Sequence, residues 1–166
     1  IIFANVQLED TATINQINEL LAQISEQSMQ IKGVKYFISV AGYSILGGSG
    51  ENVALGVIGL DEWSQRKSKN LSIEAITAAL RRKFADNEQA AINFFAPPSI
   101  PGIGKSDGLS LELLSTDGNA SPAELYRWLE KYLAALNKSQ TVAYAFSTFT
   151  SDTPHVYLDV DRIKLA

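Results

Sequence analysis

The chain predicts an α+β fold, a ferredoxin-like β-α-β-β-α-β subdomain followed by a second, incomplete β-α-β subdomain. Three observations carry that expectation. Apolar residues recur with period two and period 3.6, in that element order, from Phe3 to Ala96. The pattern begins again at Leu109 and stops after one helix and its flanking strands. Between the two lies Asn93-Phe-Phe-Ala-Pro-Pro-Ser-Ile-Pro-Gly-Ile-Gly-Lys-Ser-Asp-Gly108, which holds three of the five prolines and three of the eleven glycines. Proline fixes φ and removes an amide donor, and glycine permits angles other residues avoid. The stretch therefore reads as a stiff, extended connector. Phe94, Phe95, Ile100 and Ile103 are too many apolar groups for a solvated linker.

In the first strand Ile2, Ala4, Val6 and Leu8 point one way and Phe3, Asn5 and Gln7 the other, giving a core face and a mixed face. Thr13 and Gln16 have the spacing of a capping box, and Ile14, Ile17, Leu20, Leu21 and Ile24 follow at helical spacing. Gly33 ends that unit, and Val34, Tyr36, Ile38 and Val40 alternate as the second strand. A glycine-rich loop, 41–50, leads to a third strand from Val53 to Leu60. The second helix starts near Ser72, burying Ile73, Ile76, Leu80 and Phe84, and the fourth strand covers Ala91 to Ala96. This order places both helices on one face of an antiparallel sheet.

Beyond the connector, Leu109, Leu111 and Leu113 alternate as a strand. Ser121-Pro-Ala-Glu124 supplies an N-cap, a proline at N1 and a glutamate at N3. Leu125, Trp128, Leu129, Leu133 and Leu136 make the stripe of that helix, and Val142, Tyr144 and Phe146 alternate on the next strand. Val156-Tyr-Leu-Asp-Val-Asp161 reads as one more strand. Half a fold has no complete core, and Ile1-Ile2-Phe3-Ala4 has neither an initiator methionine nor a charged signal region. The expectation is a piece, or a mature form, of something longer.

Composition narrows the chemistry. The absence of cysteine excludes disulfides, thiolate zinc sites and cysteine nucleophiles. A net charge of −4 with dispersed basic residues argues against nucleic acid as a partner, and the Arg81-Arg82-Lys83 run suits a helix C-terminus. Three Asn-X-Ser sequons, at Asn70, Asn119 and Asn137, fit chance in polar loops. The lone histidine, His155, has no nucleophile-elbow motif to serve, so an enzyme is not expected. Asp61/Glu62 and Asp159/Asp161 read as solvated carboxylates, and no metal site or cofactor is expected. The Leu46-Gly-Gly-Ser-Gly-Glu51 stretch lacks the lysine and following helix of a phosphate loop. It reads either as a flexible hairpin connection or, because Tyr43, Ile45 and Leu46 share it, as a loop that touches something apolar.

The glycine-rich loop running into Val-Ile-Gly-Leu-Asp-Glu-Trp63, the Phe95-Ala-Pro-Pro-Ser-Ile-Pro-Gly-Ile-Gly104 connector with Gly-Leu-Ser-Leu-Glu-Leu113, and Phe146-Ser-Thr-Phe-Thr-Ser-Asp-Thr-Pro154 carry a resemblance. Together they resemble the resistance-nodulation-cell division (RND) multidrug efflux pumps, hydrophobe/amphiphile branch. The resemblance implies a porter-region fragment from the C-terminal half, the periplasmic portion of a Gram-negative inner-membrane protein. It implies a complete first porter subdomain at 1–100, a connector at 101–106, half of a second porter subdomain at 107–147, and the start of a docking subdomain at 148–166. It further implies a proton-driven homotrimer working with a periplasmic adaptor and an outer-membrane channel on hydrophobic or amphiphilic small molecules.

By position, the resemblance puts Tyr43, Ile45 and Leu46 on a switch loop and Phe3, Asn5 and Gln7 on the pocket side of the first strand. It puts Asn93, Phe95, Pro97 and Gly102 on the strand and connector lining the cleft through which cargo enters, with Phe146 facing them. Where well-known members carry phenylalanine on the loop, this chain has Ile45 and Leu46. Where some carry an acid and an arginine at the cleft, it has Gly102 and Phe146, which implies a preference for neutral cargo. Packing of Phe95, Pro97 and Pro98 between subdomains is the competing reading of the connector. A stand-alone ferredoxin-like regulatory or small-molecule-binding domain is the alternative for the whole chain.

Overall fold

The computed structural model describes residues 1–98, 108–116 and 118–151. Strand β1 (Ile2–Gln7), helix α1 (Ile14–Met29), strands β2 (Val34–Ser44) and β3 (Gly48–Leu60), helix α2 (Ile73–Lys83) and strand β4 (Ala91–Phe95) follow one another in the expected order. A 3₁₀ turn, Lys69–Leu71, precedes α2, and helix α3 spans Pro122–Lys138. The sheet has the strand order β2-β3-β1-β4 and is antiparallel throughout. Mixed helix and antiparallel sheet make this an α+β fold.

Local chemistry sets the helix starts. Thr13 Oγ1 accepts from the Gln16 amide while Gln16 Oε1 accepts from the Thr13 amide at 2.8 Å. Ser72 Oγ caps α2 through the Ala75 amide at 3.2 Å, and Ser121 and Glu124 form the reciprocal box that opens α3. Each such cap stabilises by about 1 kcal/mol.

Both α1 and α2 pack on one face of the sheet. Ile17, Leu20, Leu21 and Ile24 of α1 and Ile76 and Leu80 of α2 close over Ile2, Ala4, Val6, Ala54, Ile58 and Phe94. Phe84 ends α2 against Phe94, their ring centroids 5.4 Å apart. Ile14, expected in the stripe, stays exposed at the first turn of α1. In β2 an irregularity between Val34 and Tyr36 sends Val34 and Phe37 to the core and leaves Tyr36, Ile38 and Val40 on the far face. There the Tyr36 ring lies across Gly59, where any Cβ would sit 2.1–2.5 Å from ring carbons, so a side chain at this position would displace the ring.

The 41–50 segment is not a loose loop. The β2–β3 ladder continues through Tyr43↔Ser49 and Ser44↔Gly48, leaving only Ile45, Leu46 and Gly47 as the tip. Positive φ at Gly42 (81°) and Gly48 (85°) accommodates the ladder irregularity at Ala41/Tyr43 and the turn itself.

The second unit departs from expectation. Leu109, Leu111 and Leu113 belong to no strand and are exposed, as is Leu114. The segment 142–146 also forms no ladder among the described residues. A strand needs a neighbour to take its backbone bonds. Here the Ala145 N–H and C=O are instead satisfied by the Asn137 side chain, at 2.8 and 2.9 Å. With no strand ladder beneath it among the described residues, α3 buries none of its residues, and Trp128 is 62% exposed with the Lys131 ammonium 4.7 Å from its ring centroid. The expected strand 156–161 and the connector residues 99–107 lie outside the described residues.

Ser28 is fully buried in the last turn of α1, and its hydroxyl finds no partner among the described residues. A buried unpaired hydroxyl costs about 1–3 kcal/mol. Ser28→Ala is expected to raise stability by about 1 kcal/mol, read as a higher urea midpoint at an unchanged slope.

Candidate functional site

The sheet face away from α1 and α2 gathers most of the residues singled out above. The register sets Phe3, Asn5 and Gln7 beside Val57, Leu55 and Val53 on one side and Phe95, Asn93 and Ala91 on the other. An aromatic row crosses this face. Phe3 meets Phe95 edge-on at 5.9 Å, Phe95 stacks on Phe146 at 6.1 Å, and Phe146 stacks on Tyr144 at 5.7 Å. Tyr144 Oη then donates to Asn93 Oδ1 at 2.8 Å. Asn93 is 6% exposed and its cross-strand neighbour Asn5 is 1% exposed, so two amides are buried on a largely apolar surface.

Asn5 is covered from the hairpin. Ser44 donates its hydroxyl proton to Asn5 Oδ1. Ser44 pairs with Gly48, seven positions before Leu55, the partner of Asn5. In a straight strand that separation is about 23 Å. The bond therefore requires the end of the hairpin to fold back over the sheet, bringing Tyr43, Ile45 and Leu46 with it. Ile45 and Leu46 are half-buried there and Tyr43 is exposed. Ser44 Oγ also accepts from the Leu46 amide at 3.2 Å and the Gly47 amide at 2.8 Å, which fastens the tip to the same atom.

The open edge of β4 is closed by α2. Arg81 Nε and Nη2 donate to the Phe94 carbonyl at 3.1 and 2.6 Å, and the guanidinium lies 4.2 Å from the Tyr144 ring centroid. A charged hydrogen bond of this kind contributes about 1.5–3 kcal/mol and a cation–π contact about 0.5–2 kcal/mol. Burial holds Arg81 below its ordinary value, partly offset by Tyr144, and burial pushes the Tyr144 phenol above its own.

Not every expected residue joins this face. Pro97 is half-buried just past β4, and Gly102 lies outside the described residues. Among the described residues no group of three histidine, cysteine or acidic side chains could hold a metal, and no helix is long and apolar enough to cross a membrane. A separate groove of about 490 Å³ runs between Glu9, Asp10 and Thr11 and the segment carrying Thr150 and Ser151, and none of the candidate residues lines it. Sequence reasoning passed over Ser44, the edge-capping role of Arg81 and the Asn137 clasp. Ser44 sat in a glycine-rich run, Arg81 in a basic run that fits a helix end, and Asn137 inside a sequon.

Two outcomes test this layer. Tyr144→Phe keeps the stack but strands the Asn93 oxygen, and is expected to lower stability by about 1–2 kcal/mol in urea denaturation. Because the folded phenol holds its proton above the ordinary tyrosine value of 10.0, its contribution is complete below that pH. It is lost as pH rises through the folded value. A spectrophotometric titration should therefore show a late tyrosine component that is lost in Tyr144→Phe.

Comparison with known proteins matches the whole chain, residues 1–166, to the model of the AcrB/AcrD/AcrF family. Multidrug resistance protein MdtF of Escherichia coli O6:H1 is 24% identical over 168 residues, covering 99% of this chain and 16% of its own length. The toluene efflux pump membrane transporter TtgB and the antibiotic efflux pump membrane transporter ArpB of Pseudomonas putida are each 23% identical over 163 residues, covering 97% of this chain and 15% of their own lengths. The chain thus spans about 16% of the length of the curated relatives it matches. With its full length accounted for by that one model, the chain belongs to the AcrB/AcrD/AcrF family of RND efflux transporters.

Proposed function

We propose that this chain is a periplasmic porter piece of a proton-driven efflux pump, in which the outer sheet face and the hairpin tip form a wall that lipophilic cargo touches. In this reading residues 1–100 are the first porter subdomain, 101–106 the connector, 107–147 half of the second subdomain, and 148–166 the start of a docking region. The intact protein is a homotrimer of the inner membrane, coupled to a periplasmic adaptor and an outer-membrane channel, and performs no covalent chemistry. Phe3, Asn5, Gln7, Asn93, Phe95 and Phe146 are the fixed wall, Tyr43, Ile45 and Leu46 the movable part, and Pro97 and Gly102 the rim.

The observation that carries this reading is the aromatic row from Phe3 to Tyr144, lying on the face that α1 and α2 leave uncovered. Offset rings whose one neighbouring charge, the Arg81 guanidinium, is bonded to the Phe94 carbonyl suit uncharged, flat or greasy molecules. One relative is named for toluene efflux, and toluene is such a molecule.

The test uses the full-length protein containing this chain, expressed in a Gram-negative host lacking its own major pumps. Phe146→Arg breaks the row at its centre and adds a cation. It is expected to lower resistance to neutral lipophilic compounds at least about fourfold at equal protein level, with a smaller change for charged ones. Unchanged resistance to both classes would sink the assignment of this face.

A further inference from the structure

The amide of Asn5 has an orientation that hydrogen-bond counting fixes. Ser44 Oγ has two lone pairs, and the Leu46 and Gly47 amides take both. Its single proton therefore goes to Asn5, whose oxygen must face it. That leaves Asn5 Nδ2, with two N–H donors, buried and without a partner among the described residues. The neighbouring Asn93 oxygen, which Tyr144 meets, makes no hydrogen bond to it. An unmet buried donor costs about 1–3 kcal/mol, which a ligand that reaches it recovers.

We infer that Asn5 is a specificity-determining donor for uncharged lipophilic ligands bearing a hydrogen-bond acceptor, and that Ser44 is the positioning residue that latches the hairpin tip over it. The inference rests on the outer face being a cargo wall. The class of ligand follows from the surroundings. The register neighbours Leu55 and Asn93, with Phe3 and Gln7 along β1, carry no charge to offset the desolvation of an ionic group. The guanidinium of Arg81 is committed to the Phe94 carbonyl and the Tyr144 ring. A ketone, ester, ether or amide oxygen on an apolar body satisfies the amide and lies against the aromatic row. Because Asn5 is covered in the latched arrangement, the ligand meets it only when the Ser44 bond opens. A single hydroxyl thus decides both where the tip rests and when the donor is available.

The experiment uses the 166-residue chain. The probes are prodan, an uncharged naphthalene with one ketone, and its deoxygenated analogue 2-dimethylamino-6-propylnaphthalene, compared by fluorescence titration after correction for water–octanol partition. The wild-type chain should bind the ketone about five- to tenfold more tightly than the analogue, and Asn5→Leu should abolish that preference. Ser44→Ala should speed hydrogen exchange at the Leu46 and Gly47 amides roughly tenfold, leave the β1 amides unchanged and raise the ketone's association rate. Ser44→Thr should restore both the slow exchange and the association rate. Equal wild-type affinity for the two probes, or a preference that survives in folded Asn5→Leu, overturns the donor assignment. If Asn5→Leu does not fold, the wild-type comparison decides. Unchanged exchange in Ser44→Ala overturns the latch. Binding of neither probe defeats the cargo-wall reading, and this inference with it.

Discussion

A sheet has two faces, and α1 and α2 close only one of them. The other face of this sheet is apolar along most of its width, yet β1 and β4 place two amides in its middle, Asn5 and Asn93. Burying such groups is costly where their polar atoms are not met by partners. The arrangement outside the core can be traced to that requirement. The hairpin end folds back so that Ser44 reaches Asn5, and the segment after α3 lies down so that Tyr144 reaches Asn93. The aromatic row runs beside them, from Phe3 and Phe95 on the next same-face pair of the sheet to Phe146 and Tyr144.

The elements that could be read from the residues are those whose hydrogen bonds are local. A helix pairs its own backbone, so a capping residue and a stripe suffice to announce it. Thr13 with Gln16, Ser72, and Ser121 with Glu124 open the three helices at the expected positions. Strand β1 was equally legible, since strict alternation separates Ile2, Ala4 and Val6 from Phe3, Asn5 and Gln7. Strands elsewhere depended on neighbours that no local pattern reveals. The same alternation that marked β1 at 2–8 marks 109–113 and 142–146, but those segments have no ladder among the described residues.

The hairpin shows the opposite failure. Five glycines and serines near its tip suggest slack chain, and glycine costs a strand entropy. Pairing nevertheless runs to Ser44 and Gly48, because turn and irregularity need the positive φ that only Gly42 and Gly48 supply easily. Of the candidate residues, Phe3, Asn5 and Gln7 were visible together as the mixed side of β1. The residues that tie it together were not, because their partners are distant in sequence: 39 residues separate Ser44 from Asn5, 51 separate Asn93 from Tyr144, and 13 separate Arg81 from Phe94.

Arg81 has a mechanical consequence. It grows from a helix on one side of the sheet, grips a carbonyl on the rim, and supports a ring on the other side. The two faces are therefore linked around the edge of β4 and not only through the sheet. Were α2 to shift against the sheet, the guanidinium would pull on the last residues of β4 and press on the Tyr144 ring. Movement imposed on the helical side reaches the aromatic side as a lever turning about a rim, through a single side chain.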